Sequence, residues 1–266
     1  MAYTIEKPTA WSEWWSGTID YRLWWTLAWK DIADRYRRSM LGPFWLTISM
    51  AVVLGGMGPL YAQLFDVPIM VFFPHLSLGV IIWTFINVTV NEGGTTFVAA
   101  APFLKSRPYP LSAFIWRIIA RNLVTLLHQL PVFLPVAYFA GIRLTPATLL
   151  FLPGLLLLVL ALHALAMIAA IVCTRFRDVP QIIASIMQLA VFMTPVLWLP
   201  SSLPPATQWI VRYNPFAQVL DIVRLPLLGQ YPAAAAWLRV AAWTAGIVLI
   251  AALLFKRFHR RIIYWL

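Results

Sequence analysis

Long apolar runs alternate with short polar breaks along this chain, and the runs are of membrane-crossing length. About 20 consecutive apolar residues in a helix cover the hydrocarbon layer of a bilayer. Six stretches meet or approach that length: about 44–65, 75–99, 113–140, 147–173, 179–199 and 236–255. The pattern predicts an all-α membrane protein with six transmembrane helices. A first unit, residues 1–43, precedes a transmembrane domain over 44–266. Within the first unit, residues 1–17 are polar and rich in tryptophan, with Trp11, Trp14 and Trp15 around Glu13. Residues 18–38 have helical period, with Tyr21, Trp24, Trp25, Ala28, Ile32 and Tyr36 on one face and Arg22, Thr26, Lys30, Asp34 and Arg37 on the other. That pattern predicts an amphipathic helix lying in the membrane interface, N-capped by Thr18 and ended by Gly42-Pro43.

Residues 200–235 break the pattern. They are rich in Leu, Val, Ile, Phe and Trp, yet prolines at 200, 204, 205, 215, 226 and 232 interrupt them. Thr207–Arg212 and Phe216–Leu228 have helical period on either side of Asn214-Pro215. A re-entrant helical hairpin dipping into the outer leaflet fits this composition, provided protein or a watery cavity shields its backbone.

Charge then sets an orientation. The chain has 20 Lys+Arg against 9 Asp+Glu. With the N-terminus in the cytoplasm, Lys7, Arg22, Lys30, Arg35, Arg37, Arg38, Lys105, Arg107, Arg117, Arg175, Arg177, Lys256, Arg257, Arg260 and Arg261 fall beside cytoplasmic ends. Only Arg143, Arg212 and Arg224 fall in outer segments, and Arg121 and Arg239 sit within or near spans. This bias is the positive-inside pattern, and it predicts cytoplasmic N- and C-termini. The net charge of +11 therefore reports topology rather than nucleic-acid binding, since the basic residues punctuate apolar runs. No uncharged signal-peptide core precedes residue 40, so the first span is expected to direct insertion. The single cysteine, Cys173, excludes an internal disulfide and reads as a small buried residue.

Charges inside spans mark sites by default. Glu92 lies two-thirds along the second span, and Arg117 and Arg121 lie one turn apart on the antiparallel third, so Glu92 is expected to pair with Arg121 or Arg117. His128 is the other titratable group nearby. His163 is expected to hydrogen-bond between helices, and Asp178 to cap the fifth span. Asp66, Asp221 and His75 fall on the outer side, scattered over different elements, which speaks against a membrane-embedded enzyme. Asp221 and Arg224 are spaced for a local helical pair. No GxxxxGK[ST], HExxH, CxxC or GxSxG pattern occurs, so no phosphate-cradling loop is present.

Several segments together resemble a known family. Lys30-Asp31-Ile32-x-x-Arg35-Tyr36-Arg37-Arg38-Ser39-x-Leu41-Gly42-Pro43-x-Trp45 is similar to the opening signature of ABC-2 type exporter permeases. Phe176-Arg177-Asp178-Val179 followed by Met193-Thr194-Pro195-Val196 resembles the loop into that family's fifth span. Asn214-Pro215-Phe216 followed by Arg224-x-Pro226-x-x-Gly229 resembles its outer gate segment. Lys105-Ser106-Arg107-Pro108-Tyr109-Pro110 resembles its coupling loop, with Tyr109 where many members have Phe. The Wzm-like polysaccharide permeases are the subgroup it resembles. The resemblance implies a homodimer driven by two copies of a separate ABC ATPase, with ATP and Mg in that partner and no cofactor in this chain. It implies export of a lipid-linked, O-antigen-like polysaccharide across the bacterial inner membrane. The alternative is a drug, lipid or antibiotic efflux permease of the same build. ATPase coupling then falls to Arg35, Arg37, Arg38, Lys105, Ser106, Arg107 and Pro108, and the outer gate to Asn214, Pro215, Asp221 and Arg224. Trp83, Phe85 and Phe192 are candidates to offer sugar-stacking faces to the channel.

Overall fold

The computed structural model describes residues 9–107 and 109–266, so Lys7 and Pro108 lie outside the described residues. Among the described residues twelve α-helices follow one another: α1 (Ala10–Ile19), α2 (Tyr21–Tyr36), α3 (Phe44–Leu64), α4 (Ile69–Ala99), α5 (Ala101–Ser106), α6 (Leu111–Gln129), α7 (Phe133–Phe139), α8 (Phe151–Arg175), α9 (Val179–Met193), α10 (Trp209–Tyr213), α11 (Pro215–Leu227) and α12 (Ala234–Trp265). No strand occurs among the described residues, so the chain is all-α.

Five helical stretches among the described residues are long and apolar enough to cross a membrane: Phe44–Leu64, Ile69–Ser106, Leu111–Phe139, Pro146–Arg175 and Ala234–Trp265. The fifth expected span is instead the 15-residue helix α9, which stops at Met193 because Pro195 cannot continue the ladder. Residues 194–198 then form turns and bends, and α9 and this segment meet α4 at two levels. Ile183 packs against Gly94 near the end of α4, and the carbonyl of Pro195 meets His75 near its start. At 1.5 Å per residue those two points on α4 are about 28 Å apart.

Helix α4 is the axis of the bundle. Its first two-thirds, from Phe72 to Val90, is buried with residues of α3, α7, α8, α9 and α11. Its last turns, around Phe97, join a second apolar cluster with α5, α6, α8 and α12. Small residues permit the tightest approach: a Cβ on Gly93 would lie 2.7 Å from Ala166 Cα of α8. Without a hydrophobic drive between helices in lipid, such close backbone packing supplies the cohesion. Cys173 is buried and free, as expected.

The N-terminal unit departs from expectation. Helix begins at Ala10, where Thr9 accepts from the Ser12 N–H, so the tryptophan-rich stretch is helical. Thr18 lies inside α1 and donates to the Trp14 carbonyl, while the cap of α2 is Asp20, which accepts from Leu23 N–H. Trp11 and Trp15 are exposed, but Trp14 turns inward, edge-on to His163 and Phe255. Helix α2 ends at Tyr36, before a left-handed Arg38 (φ 85°), and Gly42-Pro43 opens α3 rather than closing α2. Proline's fixed φ suits the first turn of a helix, where its missing N–H costs nothing.

Three further expectations change. The basic C-terminal segment continues α12 as helix to Trp265. His163 makes no inter-helix hydrogen bond among the described residues; its Nε2 has no partner there, and its ring lies 4.6 Å from that of Trp116. Asp178 occupies the N-cap of α9 but its side chain caps nothing. Pro180 has no N–H to offer, and Gln181 N–H already bonds the Asp178 carbonyl.

Candidate functional site

Two polar constellations lie at opposite ends of α4, called inner and outer after the orientation that the charge pattern predicts. The inner one is built on α6, whose Arg117 and Arg121 lie one turn apart on one face. Arg117 grips Asp31 of α2 with both arms, Nε donating to Oδ2 at 2.8 Å and Nη2 to Oδ1 at 2.6 Å. Arg121 divides its donors between Asp31 Oδ2 at 2.9 Å and Glu92 Oε2 at 2.7 Å. Asn122 Nδ2 completes Glu92 at 2.8 Å and reaches Thr89 Oγ1 at 3.2 Å. Two guanidinium groups thus face two carboxylates, and the network is neutral overall. A cavity of about 160 Å³ lined by Glu92, Thr95, Arg117 and Arg121 adjoins it. The side chains of Arg121, Asp31 and Glu92 are 14%, 18% and 28% exposed.

The pair expected between Glu92 and Arg121 therefore forms, while Arg117 takes Asp31 instead. Helical spacing does not single out Asp31, which falls between the two faces assigned to α2. A carboxylate facing the interior from an interface helix, opposite two arginines, is the signal that marks it. His128 stands apart from the network, its Nδ1 engaged with the Val124 carbonyl of its own helix at 2.8 Å.

The segments assigned to ATPase coupling meet this network. Arg35, Arg37 and Arg38 lie at the end of α2, one turn and more beyond Asp31, and all are open to solvent at least in part. Lys105 and Ser106 close α5 and Arg107 follows it, all exposed. Between them stands Arg117, whose guanidinium carbon lies 5.9 Å from the ring centre of Phe103 in α5. Helix α5 and helix α2 are thus joined through one arginine.

Glu13 ties α1 to the start of α6, where Leu111 N–H donates to its carboxylate at 3.4 Å and Ser112 Oγ donates to the Trp14 carbonyl at 2.8 Å. Burial raises the Glu13 pKa, and the Leu111 N–H and the nearby His259 partly offset that rise. Gly17 has no room for a side chain, since a Cβ there would lie 2.8 Å from the backbone nitrogen of Ala113.

The outer constellation centres on Arg224 of α11, 1% exposed. Its Nη2 donates to Asp221 Oδ1 at 2.6 Å and its Nη1 to the Pro195 carbonyl at 2.8 Å. The same Nη1 is 2.9 Å from His75 Nε2, which also lies 3.1 Å and 3.0 Å from the carbonyls of Pro195 and Trp198. The expectation that Asp221 and His75 are scattered is therefore corrected, for both converge on Arg224 although α4 and α11 are far apart in sequence. Asp66 stays apart, in the turn after α3. Asn214 caps α11 by accepting from Phe216 and Ala217 N–H, with Pro215 in its first turn. The Asn214 amide also donates to the Met193 carbonyl at 3.1 Å and Thr194 Oγ1 at 3.0 Å. Asn214 thus satisfies the last carbonyl of α9, and side chains of α4 and α11 satisfy carbonyls of the segment after it. Arg239 of α12 is likewise held by Gln218 Oε1, at 2.8 Å and 3.0 Å.

Of the aromatics assigned to the channel, Trp83 and Phe85 are buried inside the single chain, and Trp83 packs edge-on to Phe216. Helix α4 is enclosed by neighbours along most of its length, so neither ring faces a lumen within this chain. Phe192 is exposed and shares a cavity of about 490 Å³ with Phe65, Trp198 and Ile210.

A family model described as ABC-2 type transporter matches residues 22–228. Among curated proteins, the O-antigen export system permease protein RfbA of Klebsiella pneumoniae is 23% identical over 199 residues, covering 72% of this chain and 74% of that protein. The protein of the same name in Myxococcus xanthus is 24% identical over 236 residues, covering 84% of this chain and 89% of that protein. The family match takes in the Asp31–Arg117–Arg121–Glu92 network and the Asp221–Arg224–His75 cluster alike, and on it this chain belongs to the ABC-2 type transporter family.

Proposed function

We propose that this chain is the transmembrane subunit of an ATP-driven exporter that moves a lipid-linked, O-antigen-like polysaccharide across the bacterial cytoplasmic membrane. The family makes it an integral membrane permease rather than an ATPase, and implies an ABC ATPase partner. The observation that carries the substrate is that two permeases named for O-antigen export align with most of its length.

Two copies of the chain form the path in this reading, and two ATPase subunits holding ATP and Mg drive it. The least enclosed helices support a second copy: α3 and α9 rest chiefly on α4 and present apolar residues such as Val52, Leu60, Ile182, Ile186 and Leu189 to the outside. Six crossings, with α9 and its extension as the fifth, put both termini in the cytoplasm. Helix α9 alone is about 22 Å long, so the segment that follows it completes the crossing in this reading. The ATPase docks on Lys105, Ser106 and Arg107 and on Arg35 to Arg38, and Arg117 passes its movement to α2 and α6. Residues 200–235 form a re-entrant outer gate, which Arg224 holds in place. Phe192, with Phe65 and Trp198, offers sugar-stacking faces beside it.

The test is reconstitution of the chain with its ABC ATPase in vesicles, with ATP-dependent movement of a lipid-linked glycan as the readout. Export is expected, and Lys105→Ala combined with Arg107→Ala should abolish it while the helices stay folded. Unchanged export and assembly in that variant would refute the docking assignment. Movement of amphipathic drugs without any glycan would refute the substrate.

A further inference from the structure

Between the C-terminal ends of α8 and α12 lies a cavity of about 320 Å³. Each helix lines it with the same sequence of chemistry: apolar residues first, then an arginine. Helix α8 supplies Ile171, Val172 and, one turn on, Arg175; helix α12 supplies Leu254, Phe258 and then Arg261. Leu254, Phe258 and Arg261 are spaced by four and three residues, so they form one stripe. Trp265 lines the arginine end, its ring centre 5.7 Å from the Arg175 guanidinium carbon.

Neither arginine has a carboxylate partner among the described residues, where the ion pairs involve only Arg117, Arg121 and Arg224. No Asp or Glu follows Asp221 in the chain, while Lys256, Arg257 and Arg260 surround the cavity mouth in sequence. The lining is almost wholly apolar, so both arginines border the slot with their aliphatic stems, and their guanidinium groups are left open to solvent at its mouth, an arrangement that complements an amphiphile with a negative head.

We propose that this cavity binds an anionic glycerophospholipid, its phosphate at the mouth beside the exposed Arg175 and Arg261 and the start of one acyl chain against Ile171, Leu254 and Phe258. The cavity holds the first part of one chain, the head stands at its mouth, and the remainder lies in the bilayer. Basic pockets between helices at the cytoplasmic side are suited to such headgroups. Assignment to the cytoplasmic leaflet rests on the orientation proposed above; binding itself does not.

The experiment uses the purified full chain in nanodiscs of phosphatidylcholine doped with phosphatidylglycerol, with retained lipid counted by native mass spectrometry. Arg175→Gln with Arg261→Gln should lower phosphatidylglycerol retention about 10- to 30-fold, as expected for losing two arginines at a lipid surface. Phosphatidylcholine retention and the far-UV circular dichroism spectrum should not change. Arg260→Gln, on the same helix end but outside the cavity lining, should retain phosphatidylglycerol like the wild type. Three results would overturn the proposal: equal retention in the double variant, equal loss of both lipids, or an equal loss in Arg260→Gln. Unchanged lipid retention with reduced capture of the ATPase would assign the arginines to that protein instead. Both leaflets of these nanodiscs are alike, so a wrong orientation leaves the result intact. Labelling of Tyr264→Cys in sealed vesicles tests orientation separately.

Discussion

Replacing Arg121 by glutamine removes the one side chain that bonds both carboxylates of the inner network, Asp31 and Glu92. Stranding a carboxylate in a sealed interior costs about 3–5 kcal/mol. A pair on an open surface is worth about 0.2–1 kcal/mol. With side chains 14–28% exposed, this network falls between the two. Neither carboxylate is left alone, since Asp31 keeps both arms of Arg117 and Glu92 keeps Asn122. The expected loss is therefore about 2 kcal/mol, close to that of one charge-assisted hydrogen bond. Glu92→Gln should cost about 1 kcal/mol, and the double variant about 1 kcal/mol less than the sum of the singles. Titration of the solubilised protein with dodecyl sulfate, read by tryptophan fluorescence, measures all three variants on one scale. If the two single costs add to within about 0.5 kcal/mol, Arg121 and Glu92 are not energetically coupled and the reasoning fails.

Glu13 carries a pH prediction. Its folded-state pKa lies above the ordinary 4.5, so the folded form holds the proton more readily. That stabilising contribution is fully present below the ordinary value and is lost as pH rises through the folded pKa. Docking of α1, followed by proteolysis near residue 20, should therefore loosen as pH rises above about 4.5, and Glu13→Gln should remove that dependence. Gly93→Ala should cost about 1–3 kcal/mol by pushing α4 from α8, whereas Gly55→Ala, where a Cβ meets nothing within 4 Å, should be silent in the same titration. Arg224→Gln leaves Asp221 without its partner and the Pro195 carbonyl with His75 alone. The reporter Trp209→Cys, at an exposed position of α10, should then react several-fold faster with a membrane-impermeant maleimide. Labelling at the rate seen with Arg224 intact would show that this arginine does not hold the segment.

Membership of the membrane-protein class, and much of the layout, can be read from neighbouring residues alone. Run length and hydropathy are sums over such neighbours, so the stretches that form α3, α4, α6 with α7, α8 and α12 are legible without tertiary information. The partner of Glu92 is legible too, because a charge placed among apolar residues needs an opposite charge, and Arg121 stands at a matching depth on the next span. Other features depend on how the helices meet. Helix α2 cannot reveal that Asp31 turns inward, since its facing depends on where α6 lies. His75, Asp221 and Arg224 come together only because α11 folds back against the start of α4. Trp14 and His163 meet because α1 docks on the bundle rather than lying free in the interface. Trp83 and Phe85 look available to a channel because a helix that is apolar all round does not mark which face meets protein and which meets lipid. Lipid tails are as apolar as leucine, so hydropathy carries no signal for that choice, and close packing at small residues such as Gly93 and Ala166 makes it instead.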